Sequence, residues 1–166
     1  MLIGVISDTH LPKKSRGFPP EVREGLRGAA LIIHAGDVVE ECILDELAGL
    51  APVIAVAGNI DSERIKEKYP AKRIMEIEKV KIGICHGHGK SGKTIERAFK
   101  SFAGDKVNLI IFGHSHQPVL TEMNGVVMFN PGSPTDPRRE PRPSYGMIQV
   151  AEGLFNCTHI FLERSR

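Results

Sequence analysis

Val107-Asn108-Leu109-Ile110-Ile111-Phe112-Gly113-His114-Ser115-His116 decides how this chain folds. Its first six residues form an apolar run that reads as a buried parallel strand. A glycine ends the run, and two histidines follow at alternate positions. On an extended backbone alternate side chains share a face, with Cα atoms about 7 Å apart. Imidazoles so placed can meet at one metal, or at two metals roughly 3.5–4 Å apart. Two solvated loop histidines fit the same stretch, and the other strand ends must separate the readings.

Outward from this stretch the pattern repeats. Leu2-Ile3-Gly4-Val5-Ile6 ends in Ser7-Asp8-Thr9-His10, and Leu31-Ile32-Ile33-His34 ends in Ala35-Gly36-Asp37. Pro52 to Ala57 closes in Gly58-Asn59-Ile60-Asp61, and Val80 to Cys85 in His86-Gly87-His88-Gly89. Helices are predicted between these runs. The first spans Pro20 to about Arg27, and the second Val39 to Leu50 with Ile43, Leu44 and Leu47 on one face. A short helix capped by Ser62 runs to Lys68, and another spans Thr94 to Phe102. Arg73–Glu78 and Val80–Cys85 read as adjacent strands joined by a tight turn near Lys79. After His116 the chain reads as antiparallel β: Val119–Met123, Val126–Phe129, Ser144–Val150 and Leu154–Leu162. Asn124-Gly125 and Glu152-Gly153 are the turn signals between these pairs. An alternating front half and a strand-rich back half predict an α/β domain in layers, two sheets face to face with helices outside both.

Length and composition bound the function. The 166 residues suit one domain, residues 1–166, with a proper core. Hydrophobic residues at 41% and charged residues at 25% are ordinary for a soluble globular protein. A net charge of +2 gives no case for nucleic acid or membrane held by bulk electrostatics. Basic residues cluster locally at Lys13, Lys14 and Arg16 and at Arg138, Arg139 and Arg142, both in Pro-rich loops read as solvated. Cys42, Cys85 and Cys157 are an odd number without CxxC spacing, against a disulfide framework or thiolate zinc site. All three lie in apolar-looking segments and are expected to be buried thiols. The strand-like start leaves no room for a secretory signal, and no run matches a membrane span. A cytoplasmic protein is the expectation.

Five predicted strands therefore end in metal-competent side chains: Asp8 and His10, Asp37, Asn59, His86, and His114 with His116. Carboxyl ends of parallel strands are where α/β sheets bind ligands. Glycine adjoins four of the five sets, which suits backbone turning sharply at a crowded site. Imidazole, carboxylate and amide oxygen without thiolate suit Mn, Fe, Co, Ni or Zn, with Mn preferred. Seven ligands exceed one mononuclear centre but fit two metals if a carboxylate bridges. Two divalent ions and two carboxylates leave about +2, enough to hold one hydroxide and one phosphodiester anion.

In this order, Asp8-x-His10, Gly36-Asp37, Gly58-Asn59, His86 and Gly113-His114-x-His116 resemble the calcineurin-like metallophosphoesterase superfamily, and most of all its small single-domain prokaryotic phosphodiesterases. Asn130-Pro131-Gly132-Ser133 resembles a loop of that small group, so the resemblance runs from residue 1 to about 133. It implies a four-layer αββα sandwich with a dinuclear site at the strand ends. It further implies a phosphodiesterase in which a metal-bridging hydroxide attacks a small phosphodiester. By position, Asp8, His10 and His116 would hold one metal, and Asn59, His86 and His114 the other, with Asp37 bridging. Asn59 would also contact phosphate; apart from the resemblance, Arg138, with Arg139, could reach a phosphate from its Pro-rich loop. Many members have a histidine after the asparagine to protonate the leaving oxygen; here Ile60 stands there, leaving Asp61 and His88 as replacement candidates. The substrate, the native metal and homo-oligomerisation stay open. A protein-binding scaffold of the same fold is the non-enzymatic alternative.

One motif competes. Gly87-His88-Gly89-Lys90-Ser91-Gly92-Lys93-Thr94 fits the phosphate-binding pattern G-x-x-x-x-G-K-[ST] between a strand and a helix. It lies mid-chain, however, and the later strand ends in Gly-His instead of a magnesium-binding Asp. It also leaves Asp8, His10, Asn59, His114 and His116 without work. His34 and His159 are expected to be structural histidines.

Overall fold

β1 (Leu2–Ile6) shows how the layers arise. Its alternate residues serve two faces: Ile3 and Val5 join one apolar cluster, Ile6 another. In this computed structural model the described residues are 1–11 and 17–163. The expected Lys13, Lys14 and Arg16 cluster lies outside them.

The elements after β1 are α1 (Pro20–Leu26), β2 (Leu31–His34), α2 (Glu41–Ala48), β3 (Val53–Ala55) and α3 (Glu63–Lys68). Then come β4 (Lys72–Ile77), β5 (Val80–Cys85), α4 (Thr94–Ser101), β6 (Leu109–Ile111), β7 (Pro118–Met123), β8 (Val126–Pro131), β9 (Ser144–Ala151) and β10 (Leu154–Phe161). They form two five-stranded sheets, ordered β10-β9-β1-β2-β3 and β4-β5-β6-β8-β7. In the first, β1, β2 and β3 run parallel and β9 returns antiparallel. In the second, β5, β6 and β8 run parallel between antiparallel edges.

Three apolar layers account for the stacking. Ile3, Val5, Leu31 and Ile33 of the first sheet meet Ile82, Ile84, Leu109, Ile111 and Phe129 of the second in one cluster. Val22 and Leu26 of α1, Ile43, Leu44 and Leu47 of α2, and Ile65 of α3 cover the first sheet's outer face. Ala98 and Phe102 pack with Ile110, Phe112 and Met128 on the second sheet's outer face. The αββα sandwich expected from the sequence is therefore the observed fold.

Several local expectations shift for identifiable reasons. β8 is parallel to β6, so the back half is not purely antiparallel. Met128 and Phe129 are both fully buried, so β8 needs cover on both faces, while half-exposed β7 takes the edge. α2 starts at Glu41 because Val39 has φ +80° and gives its N–H to Asp61 at 2.7 Å. Cys42 on that helix is exposed, not buried; its outer face is the one left over once Ile43, Leu44 and Leu47 point inward. Cys85 and Cys157 are buried, and burial pushes both thiols up to about 12. Ser62 caps α3 as expected, accepting from the Ile65 N–H.

Candidate metal centre

The β1–β2 pairing continues past the strands and carries the first ligands into place. The Asp8 N–H donates to the Gly36 carbonyl at 3.0 Å, and the His10 N–H to the Asp37 carbonyl at 3.2 Å. From the other sheet, the His114 N–H donates to Asp8 Oδ2 at 2.8 Å, the oxygen that the neighbouring Ser7 Oγ also meets at 2.7 Å. The two sheets are thus tied at Asp8. That approach explains Gly113: a Cβ there would sit 1.9 Å from Ser7 Oγ and 2.7 Å from Asp8 Oδ2. Gly58 likewise lies where a Cβ would be 2.1 Å from Asp37 Oδ1.

The left-handed conformations at the site fall largely on the candidate ligand residues. Asp8, His10, Asp37, His114 and His116 have φ of +54°, +48°, +57°, +69° and +60°. Such backbone costs non-glycine residues on the order of 1–3 kcal/mol and collects at functional sites. His114-Ser115-His116 is accordingly a tight turn, not the extended pair expected from its spacing. Ser115 Oγ accepts from Asn130 Nδ2, and the Ser115 N–H donates to the Gly113 carbonyl, which pins that turn.

Two triads result: Asp8, His10 and His116, and Asp37, His86 and His114, each with ligand atoms within 4.8 Å of one another. His116 Nε2 lies 3.5 Å from Asp8 Oδ1. Asp37 Oδ2 lies 3.1 Å from His86 Nε2 and 3.4 Å from His10 Nε2, so this one oxygen faces both triads. Asp8 Oδ1, His10 Nε2, His86 Nε2 and His116 Nε2 are buried without a hydrogen-bond partner among the described residues. Each unsatisfied group costs about 1–3 kcal/mol. Four such atoms converging with carboxylate oxygen fit divalent transition-metal ligation.

The opposite ring nitrogens are all occupied where the atoms face inward. His86 Nδ1 meets the Ala35 carbonyl at 2.8 Å, and His10 Nδ1 meets Asp136 Oδ2 at 3.0 Å. His116 Nδ1 bonds the Asp136 carbonyl. Each contact fixes the ring so that Nε2 faces the site.

Electrostatics agree with a cation site. Burial opposes charge on Asp37, but the imidazoles of His10 and His86 and the Ile60 N–H outweigh it and hold the carboxyl well below the usual range. Burial likewise disfavours protonated His86, yet Asp37 and Asp8 raise it overall. Burial pushes Asp8 up against the pull of His86 and His116. Burial lowers half-buried His114 to about 4, leaving a neutral imidazole ready to donate a lone pair.

Residues 1–153 match the calcineurin-like phosphoesterase superfamily domain. The chain belongs to that superfamily. It is 42% identical over 139 residues to a probable metallophosphoesterase of Methanothermobacter thermautotrophicus, covering 83% of this chain and 80% of that one. A phosphodiesterase of Methanocaldococcus jannaschii is 34% identical over 149 residues, covering 80% of this chain and 83% of the relative. Among solved structures, the zinc complex of Vps29 from Entamoeba histolytica superposes with a TM-score of 0.78 at 25% identity. That match covers 97% of this chain and 99% of the other.

Within this calcineurin-like site the remaining candidates separate. Asn59 is exposed at the end of the β3 segment, beside Ile60, whose N–H donates to Asp37 Oδ1 at 3.1 Å. Ile60 is itself 47% exposed and has no proton to give. Asp61 is buried and accepts the N–H groups of Asp37, Val39 and Gly58 at 3.1, 2.7 and 2.7 Å. It builds the loop under Asp37 and is not placed to act as an acid. His88 is exposed, its ring 5.6 Å from that of His86 and 6.4 Å from that of His114. Arg138 is exposed, with Nε 4.0 Å from Asp136 Oδ2.

The phosphate-loop reading of residues 87–94 meets a physical obstacle. Arg97 occupies the loop, donating Nε to the Gly87 carbonyl at 2.9 Å and Nη1 to both the Ser91 and Gly92 carbonyls. Loop carbonyls converging on a guanidinium are the reverse of N–H groups converging on phosphate.

The Asn130-Pro131-Gly132-Ser133 loop proves to be a clamp. Asn130 Nδ2 donates to the Gly113 carbonyl at 2.9 Å, Ser133 Oγ to the Asp8 carbonyl at 2.8 Å, and Thr135 Oγ1 to the Thr9 carbonyl at 2.6 Å. Asp136, at its end, is the site residue that sequence reasoning missed. Its only signal was position, three residues past Ser133 in a Pro-rich segment read as solvated.

His34 and His159 are structural, as expected. His159 Nε2 bonds the Asn130 carbonyl at 2.7 Å. His34 is fully buried; Nδ1 accepts from the Gly36 N–H at 3.2 Å, so Nε2–H faces Thr9 Oγ1 at 3.1 Å. Burial lowers His34 to about 3 from 6.5. Because the folded value lies below the unfolded one, its contribution is complete above pH 6.5 and is lost as pH falls toward 3. In metal-free protein, His34→Gln should retain more of its neutral-pH stability at acid pH than wild type does. The relative gain should be on the order of 3 kcal/mol by about pH 4. Urea midpoints across that range check it, and parallel pH profiles would refute it.

Proposed function

We propose that this chain is a metal-dependent phosphodiesterase working at a dinuclear centre. Asp8, His10 and His116 would hold one divalent ion, Asn59, His86 and His114 the other, and Asp37 would bridge. The observation that carries this reading is the pair of triads facing a shared Asp37 Oδ2, with four buried ligand atoms that have no hydrogen-bond partner among the described residues. When bound, two such ions supply Lewis acidity toward phosphoryl oxygens and lower the pKa of coordinated water. Mn, Fe, Co, Ni and Zn all suit an imidazole and oxygen set without thiolate, and Mn is the ion to supply first.

The chain's own residues divide the remaining work. Asn59, exposed at the mouth, can donate its amide N–H to a non-bridging phosphate oxygen. The Ile60 N–H on Asp37 Oδ1, and the His114 N–H and Ser7 hydroxyl on Asp8 Oδ2, fix the two carboxylates in place. Ile60 leaves the adjacent position without a proton donor, and a general acid is worth about 10²–10⁴ in rate. Diesters with acidic leaving groups should therefore turn over far faster than alkyl diesters.

The test is a substrate panel on Mn-reconstituted protein, monoesters against diesters across leaving groups, with a chelated control. Aryl diester hydrolysis that EDTA abolishes and Mn restores is expected. Turnover indifferent to EDTA would overturn the reading. The likeness to Vps29 favours one second reading, a metal-binding scaffold that captures a protein partner. Two bound metals with no turnover on any diester would favour it.

A further inference from the structure

We infer that Asp136 is a positioning residue that makes the Asp8–His10–His116 triad the tighter of the two metal positions, an inference that rests on the dinuclear reading above. A single residue governs both imidazoles of this triad. Asp136 Oδ2 lies 3.0 Å from His10 Nδ1, and its carbonyl bonds His116 Nδ1. The two rings are thereby held edge to face, centroids 4.8 Å apart, with both unpartnered Nε2 atoms turned inward. Among the described residues, the other triad has no such shared anchor. His86 Nδ1 is held by the neutral Ala35 carbonyl, and His114 is only half-buried.

Asp136 is itself placed by the clamp loop. Its N–H donates to Ser133 Oγ at 2.8 Å, and that hydroxyl donates to the Asp8 carbonyl at 2.8 Å. One short segment, Ser133 to Asp136, therefore sets the relative position of all three ligands Asp8, His10 and His116. It also brings a carboxylate within hydrogen-bond distance of a ligand histidine, adding negative charge directly behind an imidazole of that metal position. Outer partners of metal-bound histidines are worth about 10–100-fold in affinity. The effect should fall on one site.

The experiment is Mn²⁺ titration by calorimetry, paired with anomalous diffraction at the manganese edge to read occupancy at each position. Wild type should show two binding events, the tighter at the Asp8–His10–His116 position. Asp136→Ala should weaken that event by about 10–100-fold and leave the other within about threefold, reversing the order of filling. Asp136→Asn keeps an acceptor and the backbone carbonyl but removes the charge, so it should fall between the two. It also shows whether the alanine variant merely disturbs the loop. Two events unchanged in both variants, or both events weakened equally in Asp136→Asn, would overturn the inference while leaving the dinuclear centre intact. Absence of stoichiometric metal binding by wild type would instead remove the dinuclear reading itself.

Discussion

Asp37→Asn is expected to abolish practical turnover of an activated aryl diester, with kcat/KM falling by more than about 10². The lower bound follows because indirect partners of metal-bound histidines already cost about 10–100-fold, and Asp37 Oδ2 faces both triads directly. Asparagine removes the negative charge between the two positions and can turn its amide NH₂ toward His10 and His86. Metal content should drop from two equivalents to one or fewer, measured on desalted protein. The fold should survive, because asparagine can still accept the Ile60 N–H that Asp37 Oδ1 accepts at 3.1 Å. Two tightly held equivalents and undiminished turnover in the variant would remove Asp37 from the bridging role. Adding metal should not rescue the variant to wild-type rates, whereas it should rescue chelated wild type.

Asp61→Ala should produce the largest loss of stability among the polar residues discussed, about 3–5 kcal/mol. Three backbone N–H groups, those of Asp37, Val39 and Gly58, converge on this buried carboxylate. Hydrogen bonds to a charged acceptor contribute about 1.5–3 kcal/mol each, and stranding buried donors costs about 1–3 kcal/mol apiece. Because all three share one carboxylate, the sum is less than additive. Urea unfolding of metal-free protein reads the effect directly, and Asp61→Asn should lose less because its carbonyl oxygen still accepts. A proton-donor role makes the opposite forecast: little change in the unfolding midpoint, and lost turnover confined to diesters with poor leaving groups. That pattern would sink the structural assignment.

Much of the site was legible because parallel strands deliver their C-terminal residues to one edge of a sheet. Asp8, His10, Asp37, His86, His114 and His116 each follow an apolar run, and the run fixes where the residue goes. The hairpins were legible for a similar local reason. Asn124-Gly125 and Glu152-Gly153 adopt positive φ at both positions, the conformation such turns require. Glu78-Lys79 makes the same turn without a glycine. Its compensation is tertiary: Glu78 accepts the Met1 amino group at 3.1 Å and the Glu152 N–H at 3.0 Å.

The sequence by itself determined the αββα layering and which residues stand at the strand ends, because hydrophobic period and strand polarity are local properties of the chain. It also determined that position 60 offers no proton donor, since isoleucine has none whatever its surroundings. Only the tertiary structure decided the rest. It turned His114-Ser115-His116 from an extended pair into a left-handed turn, placed β8 parallel to β6, and exposed Cys42. It also separated buried Asp61 from exposed His88 and brought Asp136 behind His10 and His116. Each of those outcomes depends on contacts between segments far apart in the chain, such as Asp8 and Ser133, 125 residues apart. No periodicity within one segment encodes what another segment will press against it.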